Sequence, residues 1–390
     1  MSSSRIGIDV TSALTQGGGI GRYTRELVRA LITLQSDNHY TLFSARAPRN
    51  LPVPDPLPVG PNIDYHPAFL EERWLYRIWY RLRLPFPVQI FTGGLELFHS
   101  PDFVLPPVAG DIPTLLTVHD LSFLHFPQTF PPRLVSYLNS VVPWSVSRAS
   151  HILADSLSTK KDLQKQWSVP GEKITVLYSG VSNDYVPVTN TAVLKDVRRI
   201  YGLEDTPYIL SVGTVQPRKN YQMLIRAFVS VAEQFPHNLV IAGGKGWLDD
   251  DMMAEAQRHG IAHRVKFLGF VADQHLPALY SDASLFAFPT LYEGFGLPVL
   301  EAMACGVPAI ISNSSSLPEV GGEAAMMLSP DSPAAWSEGI CTVLADPQRA
   351  SDMIDKGFIQ AGRFPWHKAA QDLLAIYASL LDKEGTSRHN

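Results

Sequence analysis

The chain has 390 residues, of which 45% are hydrophobic and 18% are charged. This apolar content exceeds the core of one small domain and excludes a disordered or fibrous chain, so we expect two globular domains. The formal net charge is −5, and no segment interleaves a dense basic run with aromatic residues, which excludes a nucleic-acid partner. Any anionic ligand must therefore be bound by local positive groups.

The cysteines and the apolar runs indicate a cytoplasmic protein. Cys305 and Cys341 are the only cysteines, and their spacing is typical of neither a disulfide framework nor a zinc site. Residues 1–14 enter a strand-like run directly, without the features of a signal peptide. No stretch approaches the roughly 18 uninterrupted apolar residues that a membrane span needs, so we expect no transmembrane helix.

The first half of the chain alternates predicted strands with predicted helices. A strand at residues 5–10 leads into the glycine-rich residues 17–21 and then into a helical pattern of apolar residues. Further strands are predicted at residues 40–43, 95–100, 114–120, 151–155 and 174–180. This alternation predicts a parallel, doubly wound sheet.

The second half repeats the pattern after a polar, proline-containing segment at residues 183–193. Its strands are predicted at residues 208–213, 238–244, 264–270, 283–289 and 307–312. We therefore expect an N-terminal domain of residues 1–185, a C-terminal domain of residues 186–365 and a C-terminal helix within residues 366–390. The fold class is α/β, and the ligands of such sheets bind beyond the carboxyl ends of the strands, here in a cleft between the domains.

A basic pair follows the first strand of the second half. Arg218 and Lys219 lie in the segment SVGTVQPRKN, which leads into a predicted helix. Two fixed cations, together with the free N–H groups at a helix start, would hold a pyrophosphate and stabilise its growing charge as it leaves. The alternative interpretation is a solvated loop that carries two basic residues.

Glu293 and Glu301 lie eight residues apart in the segment FPTLYEGFGLPVLEAMACGVPAI. Each carboxylate can accept hydrogen bonds from sugar hydroxyls, and Gly294 and Gly296 allow the backbone to approach a ligand closely. A fully helical separation of this length is about 12 Å, which suits the two ends of a nucleotide sugar better than an acid–base pair. Alternatively, Glu301 is an ordinary acid near a helix N-terminus that interacts with the helix dipole.

The segment from Glu293 to Glu301, followed by AMACGVP, resembles the E-x7-E signature of retaining glycosyltransferases of family 4. The segments SVGTVQPRKN and GGIGRYTRELVRAL reinforce the resemblance, which runs from about residue 5 to about residue 380. It implies a GT-B fold, in which two Rossmann-like, doubly wound domains face each other across a cleft. It also implies a nucleotide-sugar donor, retention of anomeric configuration, and no metal or other cofactor.

Position by position, the resemblance implies that Glu293 contacts the hydroxyls of the transferred sugar and that Glu301 contacts the nucleotide ribose. Arg218 and Lys219 would hold the diphosphate. The other predicted substrate-binding residues of the second domain are Gly213, Gly269, Val271, Gly294, Phe295, Gly296 and Leu297. Of these, Gly269 and Val271 would belong to the pocket for the base.

In the first domain, the resemblance assigns roles to residues after the first and fourth predicted strands. Gly18 and Gly19 would bring backbone N–H groups close to the phosphate, where a side chain would obstruct it. His119 would hydrogen-bond the donor sugar and stabilise an oxocarbenium-like centre through its backbone carbonyl, while Asp120 would orient the loop. A purely structural histidine is the alternative. In GT-B enzymes the C-terminal helix often crosses back to brace the first domain.

The predicted mechanism is a front-face displacement. The leaving phosphate oxygen takes the proton of the acceptor, and the sugar is added on the side just vacated. The predicted catalytic residues are His119, Arg218, Lys219 and Glu293. A double displacement with Glu293 as the nucleophile is the alternative.

Residues 69–91 combine aromatic and basic side chains in a predicted helix that ends before Pro85. Such a helix suits the surface of an anionic bilayer, and predicts a peripheral enzyme at the inner face of the plasma membrane with a polyprenyl-diphosphate-linked acceptor. The alternative is that the aromatic rings pack into the first domain. The residues concerned are Arg73, Trp74, Tyr76, Arg77, Trp79, Tyr80, Arg81 and Arg83.

The segment HDLSF, which begins at His119, is similar to the mannosyltransferase branch of family 4. The predicted donor is therefore GDP-mannose, and the acceptor a glycan or lipid-linked glycan of a bacterial-type surface polysaccharide such as lipopolysaccharide. A UDP-sugar-dependent transferase and a non-hydrolysing sugar-nucleotide epimerase are the alternatives. A nicotinamide-dependent oxidoreductase is disfavoured because GGGIGR lacks the G-x-G-x-x-G spacing. A non-catalytic sugar-binding protein would leave the basic pair and the glutamates without a chemical role.

Overall fold

The computed structural model describes residues 3–34, 36–46, 57–203, 205–246 and 252–387, with side chains described to residue 382. The chain divides into two compact units. The first comprises Met1–Leu121, Ser136–Gly180 and Trp366–Asn390, and the second comprises Ser122–Val135 and Val181–Pro365.

The strands of the described residues form one parallel sheet in each unit. In chain order they are β1 (Arg5–Asp9), β2 (His39–Arg46), β3 (Ile63–Glu71), β4 (Leu97–Ser100), β5 (Thr114–Val118), β6 (His151–Ala154), β7 (Ile174–Val176), β8 (Tyr208–Val212), β9 (Asn238–Ala242), β10 (Val265–Gly269), β11 (Leu285–Phe288), β12 (Ala309–Ser312) and β13 (Ala325–Leu328).

The helices alternate with these strands, as a doubly wound fold requires. They are α1 (Thr11–Thr15), α2 (Gly19–Thr33), α3 (Glu72–Tyr76), α4 (Gln89–Thr92), α5 (Ser122–His125), α6 (Pro132–Arg148), α7 (Leu157–Trp167), α8 (Thr191–Ile200), α9 (Tyr221–Gln234), α10 (Met252–Arg258), α11 (Leu276–Ser281), α12 (Leu297–Ala304), α13 (Leu317–Gly321), α14 (Pro333–Ala345), α15 (Pro347–Ala361) and α16 (Trp366–Ser387). None of the helices in the described part of the chain is long and apolar enough to span a membrane.

The first unit contains a sheet of order β3-β2-β1-β4-β5-β6-β7. Its central strands β4 and β5 are buried at every residue, because helices cover both faces of the sheet. The strand order reverses between β1 and β4. The carboxyl ends of these two strands therefore flank the switch point where doubly wound sheets bind ligands.

The second unit contains a sheet of order β10-β9-β8-β11-β12-β13. Here the order reverses between β8 and β11, which pair directly with each other. Large apolar side chains of α9, among them Leu224 and Phe228, pack with Ile209 and Ile241 of the sheet and with Trp336 of α14. This core fixes the loops that follow β8 and β11, so that the switch point is built on rigid elements.

Two segments lie differently from the sequence prediction. Ser122–Val135, which the prediction placed in the first domain, belongs to the second unit, where the ring of His125 stacks on Tyr292 at a centroid distance of 5.1 Å. The predicted helix within residues 69–91 is wrong in its first part, since residues 69–71 end strand β3. Pairing of β3 with β2, as in Arg46 with Glu71, outweighs the local helical pattern there.

The C-terminal helix α16 belongs to the first unit. Its Tyr377 is fully buried, and the tyrosine hydroxyl bonds to Nδ1 of His99 in β4 at 2.7 Å. The helix packs against α2. Residues 181–365 are therefore followed by a helix that returns to the unit in which the chain began.

Candidate functional site

The loop after β8 carries the basic pair to the switch point of the second sheet. The chain leaves β8 through a 3₁₀ turn at Pro217–Lys219 and then places Asn220 in the left-handed region, at φ 58°. The side-chain amide of Asn220 donates to the carbonyls of Pro289 at 3.1 Å and Pro330 at 2.8 Å. These bonds hold the loop beside the end of β11.

Arg218 and Lys219 meet the first glutamate of the E-x7-E pattern. Lys219 Nζ lies 2.7 Å and Arg218 Nη1 lies 2.9 Å from Oε1 of Glu293, and all three side chains are at most 12% exposed. With the glutamate ionised, the three groups carry a net charge of +1. This excess of positive charge allows the cluster to bind an anion as well.

Glu293 is held as a carboxylate. Burial opposes its ionisation, but the charges of Arg218 and Lys219 and a 2.8 Å hydrogen bond from Thr290 Oγ1 outweigh burial and lower the pKa of Glu293 to about 2. These contacts converge on Oε1. No described residue donates a hydrogen bond to Oε2 of Glu293, which leaves this oxygen as an acceptor for a ligand hydroxyl.

Two serines that follow β12 hold the loop around Glu293 by hydrogen bonds. Ser315 Oγ accepts a 2.8 Å hydrogen bond from the backbone N–H of Glu293. Ser316 Oγ lies 2.9 Å from the carbonyl of Glu293 and 2.7 Å from that of Phe295, so its single proton is shared between them. Neither serine was predicted as a site residue, although the run SNSSS after a predicted strand is a signal of loop hydrogen bonding.

The loop between Glu293 and Glu301 contains two glycines, Gly294 and Gly296. Gly296 has φ +117°, and a Cβ there would lie 2.7 Å from Leu317 Cδ2, so the backbone turn into α12 requires glycine. Gly294 precedes the buried Phe295, and Leu297 begins α12. All four predicted loop residues therefore lie between the two glutamates at the start of α12.

Glu301 lies inside α12 and is only 2% exposed. The hydroxyl of Tyr280 donates a 2.9 Å hydrogen bond to its Oε2. Glu301 is the fifth residue of α12 and lies beyond its first turn, which disfavours the alternative of an acid at the helix N-terminus that interacts with the dipole. Tyr280, which was not identified from the sequence, belongs to α11 and fixes one oxygen of the carboxylate.

The two residues predicted to bind the base lie at the edge of the second sheet. Gly269 ends β10 with φ +69°, and Val271 follows it as a buried residue. β10 is two strands away from β8, which is about 10 Å at the usual strand spacing. Gly213, at the end of β8, accepts a 3.0 Å hydrogen bond from the Tyr221 hydroxyl through its carbonyl.

In the first unit, His119 follows β5 and is enclosed by protein groups. Its Nδ1 lies 2.7 Å from Oδ2 of Asp155, and its Nε2 lies 3.2 Å from the carbonyl oxygen of Pro101. Its own carbonyl accepts a 3.0 Å hydrogen bond from Thr159 Oγ1. A contact of the imidazole with a sugar hydroxyl would therefore require exchange of the Pro101 bond. Asp120, the next residue, is half-buried.

The charge of His119 follows from these neighbours. Burial lowers its pKa, but the carboxylate of Asp155, with a smaller contribution from Asp102, outweighs burial and raises the pKa of His119 to about 9. Both ring nitrogens face acceptor oxygens, which an imidazolium satisfies and a neutral ring does not. His119 is thus a positive group at neutral pH.

The glycines before α2 divide into two kinds. A Cβ on Gly18 or Gly19 would meet no atom within 4 Å, so packing does not require glycine there. A Cβ on Gly21 would lie 2.0 Å from the carbonyl oxygen of Gln16, which makes Gly21 the glycine that the fold needs. Gly18 is the N-cap of α2, so no side-chain cap bonds to the first N–H groups of this helix.

The structure thus brings Arg218, Lys219 and Glu293 into direct contact within the second unit. Glu301 and the loop from Gly294 to Leu297 follow on the same segment of this unit. Gly18, Gly19, His119 and Asp120 lie in the first unit, at the ends of its strands or at the start of α2.

Comparisons with known proteins agree with these features. The sequence matches the family described as Glycosyltransferase Family 4 over residues 17–185, and that described as Glycosyl transferases group 1 over residues 195–359. It is 30% identical over 376 residues to O-antigen chain mannosyltransferase B of Escherichia coli, an alignment that covers 93% of this chain and 96% of that protein.

Solved structures show the same fold. Sucrose-phosphate synthase from Thermosynechococcus elongatus is similar with a TM-score of 0.77 at 20% identity, covering 97% of this chain and 100% of that one. WaaG, a glycosyltransferase involved in lipopolysaccharide biosynthesis, is similar with a TM-score of 0.70 at 15% identity, covering 95% of this chain and 99% of that one. The predicted fold class is confirmed, and the chain belongs to the family 4 glycosyltransferases with the GT-B fold.

Proposed function

We propose that this glycosyltransferase moves mannose from GDP-mannose, with retention of configuration, to a glycan or lipid-linked glycan of a surface polysaccharide such as an O-antigen. The observation that carries the proposal is the buried contact of Lys219 and Arg218 with Oε1 of Glu293. In this contact the two cations can bind a diphosphate, and the carboxylate of Glu293 can accept a hydrogen bond from a sugar hydroxyl. All three side chains lie on the loops that follow β8 and β11. The choice of mannose is supported by the O-antigen chain mannosyltransferase of Escherichia coli, which is similar along most of its length.

The donor diphosphate binds to Arg218 and Lys219 without a metal ion. Their two charges exceed the single charge of Glu293 by one, and guanidinium and ammonium groups both form strong bonds to phosphate oxygens. The N–H groups at the start of α2, near Gly18 and Gly19, are the phosphate donors that the first unit offers. Glu301 receives the ribose, and Gly269 and Val271 receive the base.

The transfer is a front-face displacement. The bond from C1 of the sugar to the phosphate oxygen breaks, the acceptor oxygen bonds to C1 on the same face, and the acceptor proton passes to the departing phosphate oxygen. Glu293 is a weak nucleophile, because two cations and Thr290 stabilise its carboxylate. His119 is not the base, because its ring nitrogens both donate to oxygens. The phosphate is then the group that accepts the proton.

The acceptor is presented at a membrane surface by residues 69–91 and the neighbouring part of α6. Exposed apolar side chains lie among arginines there, and cation–π contacts join Arg77 to Trp74 and Arg148 to Trp144. Trp79 is buried instead and packs on Phe43. The exposed apolar residues are Phe69, Trp74, Leu82, Leu84 and Ile90. Apolar groups bordered by arginines match the interface of an anionic bilayer.

Vesicle sedimentation tests this surface. We expect the protein to pellet with vesicles that contain anionic lipid, and a variant with Arg73, Arg77 and Arg81 changed to glutamate to stay in the supernatant. A matched variant with three exposed cations of the second unit changed, Lys195, Arg199 and Arg258, should pellet normally. Binding that is equal for both variants, or that is absent for the wild type, would contradict the membrane proposal.

The donor is tested by calorimetric titration with GDP and with UDP in the presence of EDTA. Tight GDP binding, followed by slow hydrolysis of GDP-mannose, is the expected result. Preference for UDP would assign the enzyme to UDP-sugar donors, and binding of neither nucleotide would contradict the donor site. Transfer to an acceptor separates the enzyme from an epimerase, which releases an altered nucleotide sugar.

The role of Glu293 is tested with Glu293→Ala and the isosteric Glu293→Gln. Both should abolish transfer while GDP binding persists, because the carboxylate contacts the sugar and not the nucleotide. Glu323→Ala, at an exposed position of the same unit, is the matched control. Joint loss of transfer and GDP binding in Glu293→Gln would contradict this role. The anomeric configuration of the product, read by NMR, decides between retention and inversion.

A further inference from the structure

We propose that Asp155 is a positioning residue for sugar transfer, which holds His119 as an imidazolium at the carboxyl end of β5. The inference rests on the proposed function and adds a residue that the sequence patterns did not identify. Asp155 Oδ2 and His119 Nδ1 lie 2.7 Å apart, with side-chain exposures of 7% and 8%.

The hydrogen-bonding geometry requires a charged ring. Nδ1 faces a carboxylate oxygen, and Nε2 faces the carbonyl oxygen of Pro101 at 3.2 Å. An ionised carboxylate and a carbonyl can only accept hydrogen bonds, so both ring nitrogens of His119 must carry a proton. The rings of Tyr23 and Phe103 approach His119 edge-on, at centroid distances of 4.9 Å and 5.4 Å, and fix the orientation of the imidazole.

The local backbone places Asp155 for this contact. It directly follows β6, and the next residue, Ser156, caps α7 by accepting a hydrogen bond from the N–H of Thr159 at 3.1 Å. Thr159 in turn donates to the carbonyl of His119 at 3.0 Å. One short turn therefore holds both the ring and the backbone of His119.

The other charged and titratable groups around His119 do not replace Asp155. Asp102 follows β4 and favours the charged ring more weakly, whereas His99 in β4 is buried as a neutral ring. Burial and, more weakly, the charge of the neighbouring Asp120 raise the pKa of Asp155, whereas the charge of His119 and its hydrogen bond oppose this rise. Tyr23 of α2 has a raised pKa, which keeps its hydroxyl protonated. Asp155 thus provides the contact that fixes the charge.

The second oxygen of Asp155 argues against a purely structural role. Oδ1 is buried and has no hydrogen-bond partner among the described residues. A carboxylate that served only to join two elements would be expected to use both oxygens, since a buried acceptor without a partner is unfavourable. What the arrangement achieves is a permanent cation beside the end of β5. During transfer this imidazolium stabilises negative charge that develops on a substrate bound beyond the carboxyl end of β5.

The test compares the wild type with Asp155→Asn, which keeps the shape and removes the charge. We expect kcat for transfer to fall at least tenfold at pH 7.5, with the KM for the donor within about twofold. The residual activity should decrease as pH rises from 6 to 8, where the wild type changes little. Glu172→Gln, at an exposed position of the same unit, should behave as wild type.

The charge of His119 is read directly by NMR of its ring nitrogens. In the wild type the ring should remain doubly protonated at pH 7.5, and in Asp155→Asn it should be neutral. A wild-type ring that is neutral at this pH, or a variant with unchanged kcat and pH profile, would overturn the proposal. Failure of the wild type to transfer from any nucleotide sugar would instead contradict the proposed function, and the ring titration would still decide whether Asp155 fixes the charge.

Discussion

The hydroxyl of Tyr280 donates a hydrogen bond of 2.9 Å to Oε2 of Glu301, and both residues are buried in the second unit. This hydrogen bond fixes the plane of the Glu301 carboxylate and therefore also the direction of Oε1. If Glu301 receives the hydroxyls of the ribose, then Tyr280 determines the orientation of the acceptor oxygen for the nucleotide.

Tyr280→Phe should therefore weaken GDP binding by about three- to tenfold, which corresponds to about 0.7–1.4 kcal/mol. The folded protein should also lose about 1–3 kcal/mol of unfolding free energy, because a buried carboxylate oxygen loses its donor. Calorimetry and urea unfolding measure the two effects. Tyr40→Phe removes a hydroxyl in the first unit and should leave GDP binding unchanged. Unaltered affinity in Tyr280→Phe would argue against a ribose contact by Glu301.

The glycines before α2 give a second prediction, which separates folding from binding. Gly21→Ala should destabilise the protein by about 1–3 kcal/mol, because its Cβ would overlap the carbonyl of Gln16. Gly18→Ala should leave the unfolding free energy within about 0.5 kcal/mol, because its Cβ meets open space. The same variant should raise the KM for the nucleotide sugar if the phosphate lies against this backbone. Equal KM values for Gly18→Ala and the wild type would remove Gly18 from the site.

Acid stability provides a third prediction, which concerns the anchor of α16. Burial, helped by the nearby charge of His119, lowers the pKa of His99 to about 3 in the folded state, against an ordinary value of 6.5. Between pH 6.5 and about 3, the unfolded chain binds a proton at this position and the folded chain does not. The contribution of His99 to stability is therefore fully present above pH 6.5 and is lost as the pH falls towards 3.

His99→Gln removes this titration and leaves a polar side chain near Tyr377 and Thr117. Between pH 6 and 4, the unfolding free energy of the wild type should fall more steeply than that of the variant, by about 1.4 kcal/mol for each pH unit. Urea unfolding at several pH values measures both slopes. Parallel slopes would mean that His99 takes up its proton equally in the folded and unfolded chains.

How far the sequence could predict this protein depends on the distance over which residues interact. The alternation of strands and helices is a local pattern, and so is the segment from Glu293 to Glu301. Both patterns predicted the strands and helices in which they lie. The partners of the key groups are not local. Asp155 lies 36 residues from His119, and Tyr280 lies 21 residues before Glu301, so only the folded sheets bring each pair together.

Edge strands were a second limit. The four residues of β13 and the polar pattern of β3 give weak strand signals, and both strands are stabilised by pairing with a neighbour. The same reason explains why the predicted helix at residues 69–91 began too early. A helical spacing of aromatic residues is a property of one segment, whereas the pairing of Arg46 with Glu71 in the sheet depends on two segments.

Ser316 offers the sharpest test of how the loop around Glu293 works. Its hydroxyl bridges the carbonyls of Glu293 and Phe295, so Ser316→Ala should loosen the turn that presents the glutamate without removing any charge. Because Glu293 is expected to contact the sugar alone, kcat/KM for GDP-mannose should fall about three- to tenfold, through a higher KM and a lower kcat, a loss of about 0.7–1.4 kcal/mol in transition-state stabilisation. The affinity for GDP, which lacks the sugar, should stay unchanged. Ser329→Ala, at an exposed serine of the same unit, is the control. Weaker GDP binding in Ser316→Ala would mean that the loop positions the diphosphate as well, since Lys219 and Arg218 share Oε1 of Glu293, and the separation of sugar and phosphate contacts proposed here would be wrong.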